Sequence, residues 1–266
     1  MKLFKKIGIK ISIVILLATT TALSSRAGSI SSISDYVNIS SKIVTSVDDL
    51  TTYLGGIKDD LEHESLKQIL AGITTLKAGK IGAIVNIFLG NVTTWSWVIT
   101  EGPLQKNVNG STQLTSGVAV TTLDYSKLKN ATNLYVARTM IHEMLHAYLT
   151  LYFQYNTIEA NKEYPEVVTA WQASKKPDYN KIQHAEIERN FVEDIAESLN
   201  EFGQKIGLIS IDKSVYNDLA WGGLDFENDA LLTETDKQRI QNRVSAEHFS
   251  TAFDTQSPVG IRLVKN

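Results

Sequence analysis

The sequence predicts an α+β chain in which a long buried helix packs on a small sheet behind a helical N-terminal region. Three observations carry that expectation. Residues 133–153 are apolar around most of a helix circumference yet include Arg138, His142, Glu143 and His146. Residues 93–100 and 116–123 are rich in Val, Thr and Trp with partial alternation. Ile187, Phe191, Ile195, Leu199 and Phe202 recur at helical spacing. At 266 residues, 43% of them hydrophobic and 21% charged, the chain holds enough apolar material for one large domain or two small ones.

Residues 1–27 read as a secretory signal peptide. Lys2, Lys5, Lys6 and Lys10 form a basic start, residues 11–18 are almost wholly apolar, and residues 19–27 are small and polar, with cleavage expected after Ala22 or Ala27. The apolar run is far shorter than the roughly 20 residues that a membrane-spanning helix needs. Cleavage after Ala27 would remove five of the 26 basic residues and none of the 29 acidic ones, leaving a more acidic mature chain.

Residues 28–110 form the expected N-terminal, mostly helical region. Leu50, Leu54, Ile57, Leu61, Leu66, Ile69 and Leu70 predict a surface helix over 48–70. Residues 69–89 are Gly-punctuated and apolar on most faces, which suits a buried helix pair; a membrane-active segment is the alternative. Gly102-Pro103 and Asn109-Gly110 bound the strand segments 93–100 and 116–123, which are expected to be neighbours in one sheet. Thr132 is placed to cap the long helix that follows. A second amphipathic helix begins near His184, after Pro177-Asp178. Trp221-Gly222-Gly223-Leu224 predicts a turn before a helix over 233–249, with a close backbone approach to a cleft as the other reading.

Composition narrows the chemistry. The chain has no cysteine, so disulfides, iron–sulfur clusters, thiol nucleophiles and thiolate zinc sites are excluded, and any metal falls to His, Asp or Glu. Only five histidines are present. A net charge of −3 lacks the basic footprint that nucleic acid requires.

His142-Glu143-Met144-Leu145-His146 meets that requirement. On a helix the two histidines differ by about 40° in direction and about 6 Å in height, so both imidazoles leave the same face and can grip one ion. Glu143 stands beside that face, placed to take a proton from water activated there. Zn2+ suits imidazole ligands and leaves a coordination position open. The third ligand is expected from the second helix: His184 first, then a glutamate, with Glu188 one turn from His184 and Glu186 and Glu193 as rivals. His63, within Asp59-Asp60-Leu61-Glu62-His63-Glu64, and His248, beside Phe249, better suit surface or packing roles. Tyr148, Tyr155, Tyr164, Tyr216 and His248 are candidates for a donor to an oxyanion, and the loop 154–180 could border a cleft.

Residues 131–149, Ala131-Thr132-Asn133 through to His146-Ala147-Tyr148-Leu149, resemble the active-site helix of the SprT-like branch of zincin metallopeptidases, particularly its bacterial secreted or toxin-associated members. Tyr164-Pro165-Glu166-Val167-Val168, Gln183-His184 and residues 190–202 are similar to the segment that brings the third histidine in that family. The resemblance covers about residues 115–205, with a weaker echo at 219–224. It implies a zincin-like metallopeptidase domain over 111–266, in which His142, His146 and His184 hold Zn2+ and Glu143 is the general base. It further implies an exported enzyme, periplasmic or extracellular, acting on a protein or peptide, without nucleic acid and without a membrane span once the signal is cleaved. Intracellular relatives that act at DNA carry a cysteine zinc ribbon, which this chain lacks, and no HxxGxxH extension follows His146. Two other readings stand beside it. One is a non-catalytic zinc-binding interaction protein on the same scaffold, the other an exported toxin using residues 69–89 against membranes.

Overall fold

The structure, a computed structural model, describes residues 56–90, 95–165, 168–169, 176–230 and 232–264, with backbone alone at 176–182, 188, 189 and 228. The expected signal peptide and residues 48–55 of the first expected helix lie outside the described residues. The elements are β1 (Gly56–Asp60), α1 (Glu64–Ile73), α2 (Gly79–Phe88), β2 (Ser96–Glu101), β3 (Gly110–Thr115), β4 (Val118–Leu123), α3 (Tyr125–Leu128), α4 (Asn133–Tyr155), α5 (Thr157–Glu163), α6 (Lys176–Lys205), α7 (Lys213–Ala220) and α8 (Glu234–Phe249). The chain is α+β, as expected.

One sheet, in the order β1-β2-β4-β3, organises the molecule. β1 runs parallel to β2 and β2 parallel to β4, whereas β3 is antiparallel to β4. The two strands expected from the sequence are thus β2 and β4, and they are direct neighbours. Ser116 and Gly117, both at positive φ, form the tight turn of the β3–β4 hairpin, because a two-residue loop matches strand twist only in a mirror-image turn. Ser116 therefore belongs to the turn and β4 starts at Val118.

One expectation is corrected. Residues 56–60, placed in a helix by their leucine and isoleucine spacing, form a strand instead, with Ile57 paired to Trp97. Helical spacing in so short a segment is coincidental, and pairing along β2 overrides it. The helix starts only at Glu64, where Glu101 at the end of β2 accepts the Glu62 and His63 N–H groups at 2.8 Å. Residue 110, where the sequence reading ends the N-terminal region, lies within one compact unit, Thr51–Asn266, in which β1 and β2 share a sheet with β3 and β4 and α1 and α2 bury their apolar faces in the same core.

That core explains residues 69–89. Leu66, Ile69, Leu70 and Ile73 of α1 and Ile81, Ile84, Val85 and Phe88 of α2 are all buried, so the helix pair spends its apolar surface on the protein interior. No described helix is long and apolar enough to cross a membrane.

α4 runs through the centre. Thr132 caps it, its hydroxyl accepting the Tyr135 N–H at 3.2 Å, and it is buried along most of its length. Its start is also held from the C-terminal segment. The Asn133 N–H donates to the Ile261 carbonyl at 2.8 Å, and the Ile261 N–H returns to Asn133 Oδ1 at 2.9 Å. The fully buried Glu247 of α8 accepts the Thr132 hydroxyl and the Val259 N–H, both at 2.6 Å, and the Gly260 N–H at 3.1 Å. α6 begins at Lys176, earlier than expected, with Pro177 in its first turn where a missing N–H costs nothing. Its stripe of Ile187, Phe191, Ile195, Leu199 and Phe202 is buried throughout.

Candidate metal centre

The packing of α6 on α4 decides where the histidines meet. His142 and His146 leave one face of α4 and their Nε2 atoms lie 3.0 Å apart. α6 brings His184 to the same point, with its Nε2 3.2 Å from that of His146. The three rings offer ligand atoms all within 4.8 Å of one another. Three nitrogens bound at about 2.0–2.1 Å to one tetrahedral ion stand about 3.3–3.4 Å apart, so the two separations from His146 Nε2 fit a shared ion to within a few tenths of an ångström.

The protonation chemistry agrees. Burial holds His142 well below the usual imidazole range, with the neighbouring His146, His184 and Arg138 adding to the effect. Burial also lowers His146, against a partner in Gln183, and pushes His184 down to about 4, reinforced by His146 and opposed by Asp225. All three rings are therefore neutral near pH 7, the form in which imidazole binds a metal. His142 Nδ1 is buried and without a hydrogen-bond partner among the described residues. Gln183 Oε1 lies 2.7 Å from His146 Nδ1. Accepting there, it puts the His146 proton on Nδ1 and turns the Nε2 lone pair toward the other rings.

Glu143 is also buried, and its Oε2 accepts the Thr112 hydroxyl of β3 at 2.7 Å. Burial pushes its carboxyl up to about 7, against the Thr112 hydrogen bond and the Arg138 charge. A carboxyl poised there can both take and return a proton at neutral pH. β3 presses close: a Cβ on Gly110 would stand 2.9 Å from Glu143 Cγ.

Arg138, one turn before His142, is buried with its guanidinium against the Tyr135 ring, and Nη1 donates to the Gly222 carbonyl at 3.0 Å. Gly223, at φ +82°, passes so close that a Cβ there would lie 3.1 Å from Arg138 Nη1 and 3.6 Å from His142 Cε1. The turn expected at residues 221–224 is present. It is closed by the Leu224 N–H on the Trp221 carbonyl, and Gly223 carries the backbone past His142.

The remaining candidates lie elsewhere. His63 sits at the start of α1, its Nδ1 2.6 Å from Glu101 Oε2 and its ring stacked on Tyr125. His248 stacks between Tyr135 and Phe249. Glu193 is exposed and Glu186 accepts from Asn190, while the Glu188 side chain is outside the described residues. Tyr148 packs on Trp95 and Tyr152, Tyr155 donates to the Gly117 carbonyl, Tyr164 lies against Tyr152 and Phe153, and the Tyr216 hydroxyl faces Gly203. Part of the loop 154–180 is helical, as α5, and residues 166–167 and 170–175 are outside the described residues.

The sequence assigns no role to three residues of the site: Gln183, Arg138 and Thr112. Gln183 adjoins His184 and Arg138 precedes His142 by one helical repeat, so helix geometry could have flagged both. Thr112 gave no signal, because β3 was not recognised as a strand.

Comparison with protein-family models, with curated proteins and with solved structures yields no match for this chain, so the functional reading rests on its own residues and their geometry.

Proposed function

We propose that the chain is an exported zinc-dependent metallopeptidase with a zincin-like core of the SprT-like kind. One observation carries the reading: three imidazoles from two helices, each held neutral by burial, converge with ligand atoms within 4.8 Å of one another, beside a buried carboxyl on the residue following the first of them. His142, His146 and His184 would hold Zn2+, which when bound polarises a carbonyl and acidifies water. Glu143 takes a proton from the attacking water and delivers it to the leaving amine. Gln183 and Arg138 hold the histidine side of the site, and Thr112 holds Glu143.

Catalysis rather than a structural ion is favoured by the donor set. Among the described residues no fourth His, Asp or Glu joins the group, and three protein ligands with one open position are the mark of catalytic zinc. A peptide substrate is favoured by β3. It ends the sheet with one edge free of any described strand and lies against Glu143 through Thr112 and Gly110, so an extended backbone can pair with it. Export rests on residues 1–27.

Metal analysis paired with a peptide-library digest tests the proposal. The expected outcome is about one zinc per chain in both wild type and Glu143→Gln, with cleavage in the wild type alone. A chain that binds no zinc, or equal cleavage by both proteins, overturns it.

A further inference from the structure

β3 and β4 join Glu143 to the buried interior of the sheet through an unbroken series of hydrogen bonds. Trp97 Nε1 of β2 donates to Thr121 Oγ1 of β4 at 2.8 Å. Thr121 Oγ1 lies 2.7 Å from Thr112 Oγ1, and Thr112 Oγ1 lies 2.7 Å from Glu143 Oε2. Trp97 and Thr121 are fully buried.

The direction of this series is set at its far end. An indole N–H can only donate, so Thr121 Oγ1 accepts from Trp97 and turns its own proton to Thr112, the acceptor within reach. Thr112 then has one proton to give, and Glu143 Oε2 receives it at a shorter distance than the Glu143 carbonyl at 3.1 Å. The reverse arrangement, with a proton on Oε2 donated to Thr112, would strand the Thr121 proton in the sheet interior without an acceptor among the described residues. Oε1, by contrast, takes no hydrogen bond from the described residues, and the Gly110 backbone lies against it.

We infer that Thr112, oriented by Trp97 and Thr121, is a positioning residue that reserves Oε2 of Glu143 as a permanent acceptor and makes Oε1 the oxygen that carries the proton. This rests on the reading of Glu143 as general base. As water attacks, its O–H bond breaks, the proton passes to Oε1, the freed electron pair forms the bond to the carbonyl carbon, and the C=O π pair moves onto the carbonyl oxygen, from which it re-forms the double bond as the amine leaves. As the C–N bond breaks, the Oε1 proton passes to the amine nitrogen and Glu143 returns to a carboxylate. The Thr112 proton stays in place throughout.

The test compares full-length, zinc-loaded wild type with Thr112→Val, which keeps the shape and loses the hydroxyl, and Thr112→Ser, which keeps the hydroxyl. Thr112→Val is expected to lose about 10–100-fold in kcat, with KM within about twofold and zinc content unchanged, and Thr112→Ser to recover to within about threefold of wild type. Thr112→Ala carries the same expectation as the valine variant if the latter fails to fold. Wild-type kcat in the valine or alanine variant, a loss confined to KM or zinc content, or a serine variant as impaired as valine overturns the inference. A crystal structure of the hydroxyl-free variant gives a readout independent of activity: the Glu143 carboxylate is expected to rotate away from β3. An unmoved carboxylate refutes the inference even if the wild type cleaves no peptide, an outcome that would refute the proposed function separately.

Discussion

Replacing Gln183 with leucine isolates the contact that sets the His146 tautomer. Gln183 is almost fully buried, and its Oε1 lies 2.7 Å from His146 Nδ1. Leucine fills a similar volume but accepts nothing, so the Nδ1–H is left unpaired in the interior whenever Nε2 is committed to an ion. Such a buried donor costs about 1–3 kcal/mol, which corresponds to about 5–150-fold in affinity at about 1.4 kcal/mol per decade. Loss of an outer partner to a metal-binding histidine typically weakens metal affinity about 10–100-fold, so the two routes to the magnitude agree. Competition with a chromophoric chelator at pH 7.5 measures it directly. Gln183→Glu supplies the discriminating control: a carboxylate only accepts, enforces the same tautomer and should bind zinc at least as tightly as wild type. Wild-type affinity in Gln183→Leu would refute the argument, as would Gln183→Glu binding as weakly as leucine.

Two further predictions concern the scaffold. In Glu247→Gln one oxygen becomes an amide nitrogen that must face a donor, the Val259 N–H on one side or the Thr132 hydroxyl and Gly260 N–H on the other. Urea unfolding should show a loss of about 3–5 kcal/mol, and a loss below about 1 kcal/mol would contradict the role assigned to this clamp at the start of α4. Asp124 faces a burial penalty that raises its pKa, yet the Ser126 hydroxyl, the Leu104 N–H and Lys127 outweigh it and hold the carboxyl well below the usual range. Its contribution to stability is therefore present above the unfolded value of about 3.9 and is lost as pH falls below that toward the folded value. Unfolding midpoints at pH 3 and pH 6 should differ less in Asp124→Asn than in wild type, and an equal difference would exclude Asp124 as a source of acid sensitivity.

Local sequence was legible wherever one element carried its own signal. The Thr132 cap, the nearly all-round apolar α4 and the pair His142 and His146 follow from helix periodicity alone, since residues four apart must share a face. β2 and β4 were legible because they alternate against a buried face. β1 and β3 were not. Gly56-Ile57-Lys58-Asp59-Asp60 and Gly110-Ser111-Thr112-Gln113-Leu114-Thr115 are short, polar edge strands, and an edge strand owes its existence to the neighbour it pairs with rather than to its own composition.

The site divides along the same line. By itself the chain determined that an ion, if bound, falls to His and carboxylate ligands, and that one helical turn presents two imidazoles with Glu143 beside them, because composition and helix pitch need no partner. Which third group completes the set could not be decided that way: His184, Glu188, Glu186 and Glu193 share a helix, and its rotation about its own axis is set by how its buried stripe seats on α4. Tertiary packing brings His184 within 3.2 Å of His146 and leaves Glu193 exposed. It likewise placed Thr112 on Glu143 and the Gly222–Gly223 turn beneath Arg138, since contacts between residues 31 and 84 positions apart arise only when separate elements compete for one core.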